Sequence, residues 1–242
     1  MKKKKVLVIV AHPDDEIIWI GGMLIRNSLL KKNWDLTIIS LCRRDDKDRA
    51  PKFSRVCKIL NAKGFMSDLE DEKLAPINLS EIKDRIKKFA RGNYDYIFTH
   101  GKNGEYGHIR HIDIHKAVAQ MLEDKSLKSK QTFFFAYNKN KKYNSKNSDT
   151  PSDCYADKTA DKFINLNKIE LLKKKEIIRM IYKFEKGGFE ERNSREFESF
   201  NIKKTMCPPY LKPRVCDKHL FFGCSGISHT KMRGFNIPDK RK

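Results

Sequence analysis

Residues 6–16 read VLVIVAHPDDE, an unbroken apolar run that ends in a histidine, a proline and three acidic residues. Apolar, β-branched side chains without alternation are typical of a strand buried on both faces of a parallel sheet. Four lysines precede the run as in a signal peptide, but its apolar part is too short and no small-residue cleavage site follows. We therefore predict a buried first strand that leads directly into His12, Asp14 and Asp15, at the edge where open α/β sheets bind ligands.

The rest of the pattern alternates strands with helices. Apolar runs predict strands at residues 36–41, 94–99 and 132–137, and helical spacing predicts helices near 17–30, 53–60, 82–89, 109–122 and 163–184. Ser80 is the expected N-cap of the third of these helices. The polar stretch 138–160 predicts a long loop or lid. This order indicates an α/β fold, a three-layer, Rossmann-like arrangement with a mostly parallel sheet and helices on both faces.

Composition limits the partners. The 242 residues carry a formal net charge of +21, divided into +6 for residues 1–124 (24 basic, 18 acidic) and +15 for residues 125–242 (28 basic, 13 acidic). A lysine- and asparagine-rich composition is the simplest explanation of the excess, and attraction of an anionic substrate is the second. Binding to nucleic acid or to an anionic surface is a further alternative. No apolar run approaches the roughly 20 residues of a membrane span. We expect a cytoplasmic protein without nucleic acid as its main partner.

The six cysteines show no CxxC pair and no spacing of a disulfide framework, so reduced thiols are the expectation. Cys207, Cys216 and Cys224 fall close together near the end of the sequence. A late metal knot or disulfide therefore stays open as an alternative.

A second polar cluster follows the strand predicted to end at Thr99. It reads Tyr106-Gly-His108-Ile-Arg-His111, continues to Asp113 and His115, and lies after a glycine-rich loop. Two histidines, one carboxylate and an open position form the ligand set of a hydrolytic zinc, and a nearby carboxylate can deprotonate the bound water. The histidines could instead share one polar helix face, and an acidic cluster after a first strand also occurs in magnesium-binding receiver domains. A receiver, however, needs a phosphoacceptor Asp where residues 50–62 hold none.

These two motifs, AHPDDE at residues 11–16 and YGHxxH at 106–111, resemble those of the LmbE/PIG-L N-acetylglucosaminyl deacetylases over roughly residues 4–140. The resemblance implies a zinc-dependent hydrolase that removes an N-acetyl group from an amino-sugar substrate; Fe²⁺ or another divalent metal is an alternative to Zn²⁺. Carried over by position, it implies metal ligands, a general base, two donors to the oxyanion and a substrate-binding arginine. The metal ligands would be His12, Asp15 and His111, and the general base would be Asp14. The donors to the oxyanion would be His108 and Tyr106, and the substrate-binding residue would be Arg49.

We expect a single deacetylase domain over residues 1–242, with a core at about 4–185 and a C-terminal extension of unknown role at 186–242. A homo-oligomer is compatible with the resemblance. Arg110 stands where the family usually has an Asp that orients the first histidine, and Asp113 is the candidate replacement; Lys52 stands where relatives often have Glu. Two other functions stay open: an amidase or deacylase acting on another N-acyl substrate, and a basic nucleic-acid-binding protein with a deacetylase-like fold.

Overall fold

A computed structural model describes residues 2–139 and 153–204 of the chain. Its centre is a seven-stranded sheet in the order β3-β2-β1-β4-β5-β9-β8, in which the first five strands are parallel and β9 pairs antiparallel with both β5 and β8. The strands of this sheet are Lys4–Val10 (β1), Trp34–Cys42 (β2), Ala62–Leu69 (β3), Asn93–Thr99 (β4), Lys128–Phe135 (β5), Lys162–Asn165 (β8) and Phe197–Lys204 (β9). Tyr137–Lys139 (β6) and Cys154–Ala156 (β7) form a separate two-stranded ribbon.

Helices cover both faces of the sheet. They are Asp15–Leu24 (α1), Arg49–Ile59 (α2), Leu79–Phe89 (α3), Gly104–Gly107 (α4), Ile109–Glu123 (α5), Lys168–Glu176 (α6) and Phe189–Asn193 (α7), and the π-helical turns Ile25–Leu30 and Ile177–Ile181 continue α1 and α6. Val6, Val8 and Val10 of β1 pack with α1, α2 and the turn after α6, whereas Leu7 and Ile9 pack with α3 and α5. The three-layer α/β prediction is therefore confirmed.

The order of the strands creates a crevice beside β1. The chain passes outward from β1 to β2 and β3, and then returns to place β4 on the other side of β1. The connections that follow β1 and β4 leave the sheet on opposite faces, and such a reversal point is where open α/β sheets bind ligands. Both predicted clusters, at His12 and at His108, lie at this reversal.

The late strand β9 is tied to the first helix through a buried carboxylate. Glu198 accepts hydrogen bonds from the backbone N–H groups of Gly22 (2.8 Å) and Met23 (3.0 Å), and Lys174 lies 2.8 Å from it. All of these groups are buried. A Cβ atom at Gly22 would collide with the Leu166 side chain, so glycine is required for this close packing. The residues after the predicted core thus complete the packing of α1.

Several predicted boundaries are wrong. Residues 162–165 form strand β8, and the predicted helix at 163–184 begins only at Lys168, because Asn167 and Glu170 make a capping box that ends the strand segment. Asn78, not Ser80, caps α3 and accepts from the Ser80 N–H. Strands β3 and β9 were not predicted, and β9 extends the sheet to residue 204, beyond the expected core end at 185.

Two further predictions are tested only in part or not at all. Residues 140–152 of the predicted loop lie outside the described residues, and the flanking residues 137–139 and 154–156 pair as β6 and β7. Cys207, Cys216 and Cys224 also lie outside the described residues, so the extension remains a prediction. In the described part of the chain, no helix is long and apolar enough to cross a membrane.

Candidate metal centre

The loop between β1 and α1 holds Asp14 in a strained conformation. Asp14 has φ of 123°, a region that side chains other than glycine rarely adopt. Its N–H donates to the Glu16 carboxylate at 3.0 Å, and the Tyr182 hydroxyl donates to the other oxygen of Glu16 at 2.6 Å. Glu16 is fully buried. Glu16 therefore stabilises the loop through buried hydrogen bonds and does not line the pocket.

Three side-chain atoms converge at the mouth of this loop. His12 Nδ1 lies 3.2 Å from Asp15 Oδ2, and His111 Nε2 lies 3.3 Å from each of these two atoms. Zinc bonds of 2.0–2.1 Å in a tetrahedral site place neighbouring ligand atoms about 3.3–3.4 Å apart. The three atoms therefore already have the spacing of one face of a tetrahedral metal site, and the residues fit the divalent metal that the sequence predicts.

Each of the two histidines has a carboxylate on its other ring nitrogen. Asp71 lies 3.0 Å from His12 Nε2, and Glu105 lies 2.6 Å from His111 Nδ1. Carboxylates in this position orient metal-binding imidazoles and fix their tautomer. The sequence analysis missed both acids, although Asp71 follows β3 and Glu105 immediately precedes the YGHxxH motif. Their position after strand ends was the signal that could have identified them.

Glu105 connects a larger buried network. It also accepts from His100 Nδ1 at 2.9 Å and from the Gly101 N–H at 2.8 Å, and its own φ is 57°. The Ala11 N–H donates to His100 Nε2 at 2.9 Å, so His100 carries its proton on Nδ1. Burial alone would raise the pKa of Glu105, but the facing His100 and His111 lower it to about 2. Glu105 is therefore an ionised acceptor that holds His111.

Two other groups of side chains that could bind a metal share residues with the His12, Asp15 and His111 set. His100, Glu105 and His111 cluster, as do His12, Cys42 and Asp71. In the group of His100, Glu105 and His111, one carboxylate oxygen of Glu105 already accepts hydrogen bonds from both histidines. We therefore interpret these contacts as support for the His12, Asp15 and His111 set.

The other predicted residues line a pocket of about 240 Å³ above the three ligand atoms. Arg49 Nη1 donates to Asp14 Oδ2 at 2.5 Å, and its guanidinium lies 4.6 Å from the Phe184 ring centre. Burial raises the pKa of Asp14 to about 7, an effect that the Asp15 charge increases and Arg49 opposes. Tyr106 lines the same pocket. All seven predicted site residues thus lie together, and their individual roles stay predictions.

His108 is positioned by the backbone. It caps α5, and its Nδ1 accepts from the Arg110 N–H at 3.3 Å, which leaves Nε2 as the protonated nitrogen of a neutral ring. Burial, together with the charges of His111 and His12, lowers the pKa of His108 to about 4. The neutral ring can therefore donate a hydrogen bond from Nε2.

The replacement of the family Asp by Arg110 has a structural explanation. Arg110 is fully buried, lies 3.0 Å from Asp113 and 2.6 Å from Glu70, and so ties α5 to the loop after β3 that carries Asp71. Asp113 therefore pairs with Arg110, and the hypothesis that it orients His108 is wrong. Lys52 forms an ion pair with Asp48 along α2.

The fold and the converging side chains define an α/β protein with a metal-type site at the reversal point of its sheet. Residues 7–122 match the protein family described as PIG-L, GlcNAc-PI de-N-acetylase. This match confirms the resemblance to the LmbE/PIG-L family that the two motifs predict for this part of the chain.

Comparison with individual proteins supports the fold of this chain but does not identify its reaction. An uncharacterized protein of Acanthamoeba polyphaga mimivirus is 29% identical in an alignment of 144 residues, with a coverage of 54% of this chain and 62% of that protein. The match thus spans less than two thirds of that protein's length. The N,N'-diacetylchitobiose deacetylase of Pyrococcus horikoshii superposes with a TM-score of 0.55 at 17% identity, covering 83% of this chain and 84% of its own. The 4-carboxy-2-hydroxymuconate hydratase of Pseudomonas putida KT2440 gives 0.56 at 12%, covering 86% and 100%. One fold therefore carries two kinds of reaction, and the choice between them depends on the site.

Proposed function

We propose that the protein is a zinc-dependent hydrolase that removes the N-acetyl group of an amino-sugar substrate of the N-acetylglucosaminyl class. The observation that carries the proposal is the spacing of 3.2–3.3 Å among His12 Nδ1, Asp15 Oδ2 and His111 Nε2, with Asp14 and His108 in the same pocket. The match of residues 7–122 to a de-N-acetylase family supports the reaction class.

His12, Asp15 and His111 would hold a divalent metal, which would supply Lewis acidity toward a water molecule and toward an acetamide carbonyl. Asp14 accepts the proton of the attacking water and then passes it to the departing amine. His108 donates from Nε2 to the carbonyl oxygen as negative charge develops there, and the Tyr106 hydroxyl is a second donor. Removal of one such donor typically lowers the rate by about 10²–10³-fold.

Arg49 holds Asp14 and faces the sugar. Its Nη1 bond to Asp14 and its contact with the Phe184 ring fix the guanidinium at the pocket wall. The remaining donors of the guanidinium can bind the hydroxyl groups of a sugar or the substituent attached to it. Arg49 would therefore orient both the base and the substrate.

Two other functions compete with this proposal. An amidase or deacylase would use the same metal and the same Asp14 on a different N-acyl compound. A nucleic-acid-binding protein would use the basic residues instead, but the excess is +15 in residues 125–242 against +6 in residues 1–124, where the predicted metal ligands lie. The basic charge is therefore not centred on the pocket.

The test combines metal analysis with acetate release. We expect the purified protein, loaded in turn with Zn²⁺ or Fe²⁺, to release acetate from a panel of N-acetylglucosaminides. Asp14→Asn should keep the metal and lose activity by about 10²–10⁴-fold, because a general base contributes that much. His12→Ala should lose the metal, and exposed Asp84→Asn should match wild type.

Two results would contradict the proposal. The first is an Asp14→Asn variant that keeps most of its activity, because the base would then be a different residue. The second is the absence of acetate release together with nanomolar, sequence-selective DNA or RNA binding in physiological salt. Non-specific binding of about 10⁻⁴–10⁻⁶ M that falls steeply with added salt is expected of lysine excess alone and would leave the proposal standing.

A further inference from the structure

One wall of the pocket comes from a segment far from both motifs. Phe189 and Glu190 of helix α7 line the pocket, and α7 lies outside residues 7–122. The Phe189 ring lies 5.0 Å from the Tyr106 ring centre, in an edge-on arrangement. The pocket therefore contains a wall that the family match does not account for.

Helix α7 is held firmly in place despite its five residues. Asn193 donates to the Phe189 carbonyl at 2.8 Å, and its side-chain oxygen accepts from the Cys154 N–H at 2.6 Å. Arg192 lies 2.8 Å from Asp153. These contacts anchor α7 to the residues around β7 on one side and to the Tyr106 ring on the other. Glu190 is consequently presented to the pocket by a fixed element.

The Glu190 carboxylate differs from the other acids of the pocket. Asp15 belongs to the ligand set, Asp14 is paired with Arg49, and Asp71 is paired with His12 and Arg43. Within residues 2–139 and 153–204, the Glu190 side chain has no hydrogen bond or ion pair. Glu190 is therefore an acid with free hydrogen-bond acceptors at the wall of the pocket, where its charge acts on Arg49 only from a distance.

We propose that Glu190 is a specificity-determining residue that accepts hydrogen bonds from hydroxyl groups of the substrate and excludes amino sugars whose ring carries an anionic substituent. A carboxylate has two acceptor oxygens and no donor, so it complements the hydroxyl groups of a neutral sugar. The same oxygens repel a carboxylate or phosphate at that position, and such repulsion is an efficient way to reject a competitor. The inference rests on the proposed function and narrows its substrate to neutral, polyhydroxylated N-acetyl compounds.

The experiment compares two substrates that differ in one group. They are the methyl glycoside of N-acetylglucosamine and the corresponding uronic acid, which carries a carboxylate in place of the primary alcohol. For wild type we expect a larger kcat/KM on the neutral compound. Glu190→Gln should reduce the ratio of the two kcat/KM values at least about tenfold, because it loses a charged acceptor and removes the repulsion. Glu190→Asp keeps the charge and should keep the exclusion of the acid while losing rate on the neutral sugar.

Glu185→Gln is the matched control, because Glu185 is exposed, lies outside the pocket lining and carries the same charge. Its ratio should stay within about twofold of wild type. Metal content and melting temperature show that each variant is folded and loaded. An unchanged ratio in Glu190→Gln, with an active wild type, overturns the role of Glu190 and leaves the hydrolase intact. If wild type releases acetate from neither compound nor from the wider panel, the proposed function fails and the inference fails with it.

Discussion

Replacement of Glu105 by glutamine tests how much the buried network contributes to the metal centre. The carboxylate accepts three hydrogen bonds, from His100 Nδ1, His111 Nδ1 and the Gly101 N–H, and no water-exposed alternative exists because Glu105 is buried. Glutamine keeps the shape but carries one NH₂ group. In either orientation of the amide, the NH₂ group faces an N–H donor whose hydrogen bond the carboxylate accepted in wild type. The easiest relief is a change of tautomer at His111, which would place a proton on the nitrogen that binds the metal.

The structure sets the size of the effect. Loss of a carboxylate that orients a metal-binding histidine typically weakens metal binding by about 10–100-fold, which is about 1.4–2.7 kcal/mol. The pKa of Glu105 lies near 2 instead of its ordinary 4.5, so its ionised form stabilises the fold above the ordinary pKa and this contribution is lost as the pH falls toward 2. The metal-free Glu105→Gln protein should therefore lose about 3 kcal/mol of unfolding free energy at neutral pH. The difference from wild type should narrow in acid.

The assay is a competition titration with a chromophoric chelator, followed by urea unfolding of the metal-free proteins. Exposed Glu176→Gln is the control for removal of one carboxylate. If Glu105→Gln bound metal as tightly as wild type and unfolded at the same urea concentration, Glu105 would contribute neither to metal binding nor to stability. The assignment of His111 Nε2 as a ligand would then lose its support.

Two other predictions concern stability. Lys174→Met should lower the unfolding free energy by about 3–5 kcal/mol in urea titrations, because Glu198 would keep its charge without its buried partner, whereas exposed Lys168→Met should change little. Burial opposes ionisation of Asp95, but hydrogen bonds from Lys130 and from the backbone lower its pKa, so its stabilising effect is present above its ordinary pKa and is lost in acid. The melting-temperature difference between wild type and Asp95→Asn should consequently shrink between about pH 6 and pH 3; a constant difference would contradict the assigned ion pair.

The sequence was sufficient wherever one local pattern decided the outcome. Strands β1 and β2 are almost entirely buried apolar runs, and β4 and β5 end in buried apolar residues, a pattern that solvent-exposed segments do not have. The carboxyl ends of β1 and β4 are neighbours because those strands pair in parallel. His12, Asp15 and His111 follow these ends, so their convergence followed from the fold class and the two motifs.

Long-range contacts were outside the reach of this reasoning. Strand β3 lies at the sheet edge with half of its residues exposed, and β9 carries polar residues that bind a distant helix, so neither has the apolar signature. The partners of Arg110 and Glu105 depend on loop conformations, including the left-handed backbone of Glu105 itself. A charge at position 110 was visible in the sequence, but its burial between Glu70 and Asp113 was not.

The bond between Glu198 and the first helix has a consequence for biosynthesis. The N–H groups of Gly22 and Met23 are among the first parts of the sheet-covering layer to leave the ribosome, and their acceptor follows about 175 residues later. Helix α1 carries Asp15 on its first turn, so the helix that positions this carboxylate lacks two hydrogen-bond acceptors until β9 has emerged. Until then β5 presents an open edge to other chains, which is the kind of exposure that chaperones protect. The packing of α1 is thus completed by the last described strand, although the predicted metal ligands are encoded in the first half of the chain.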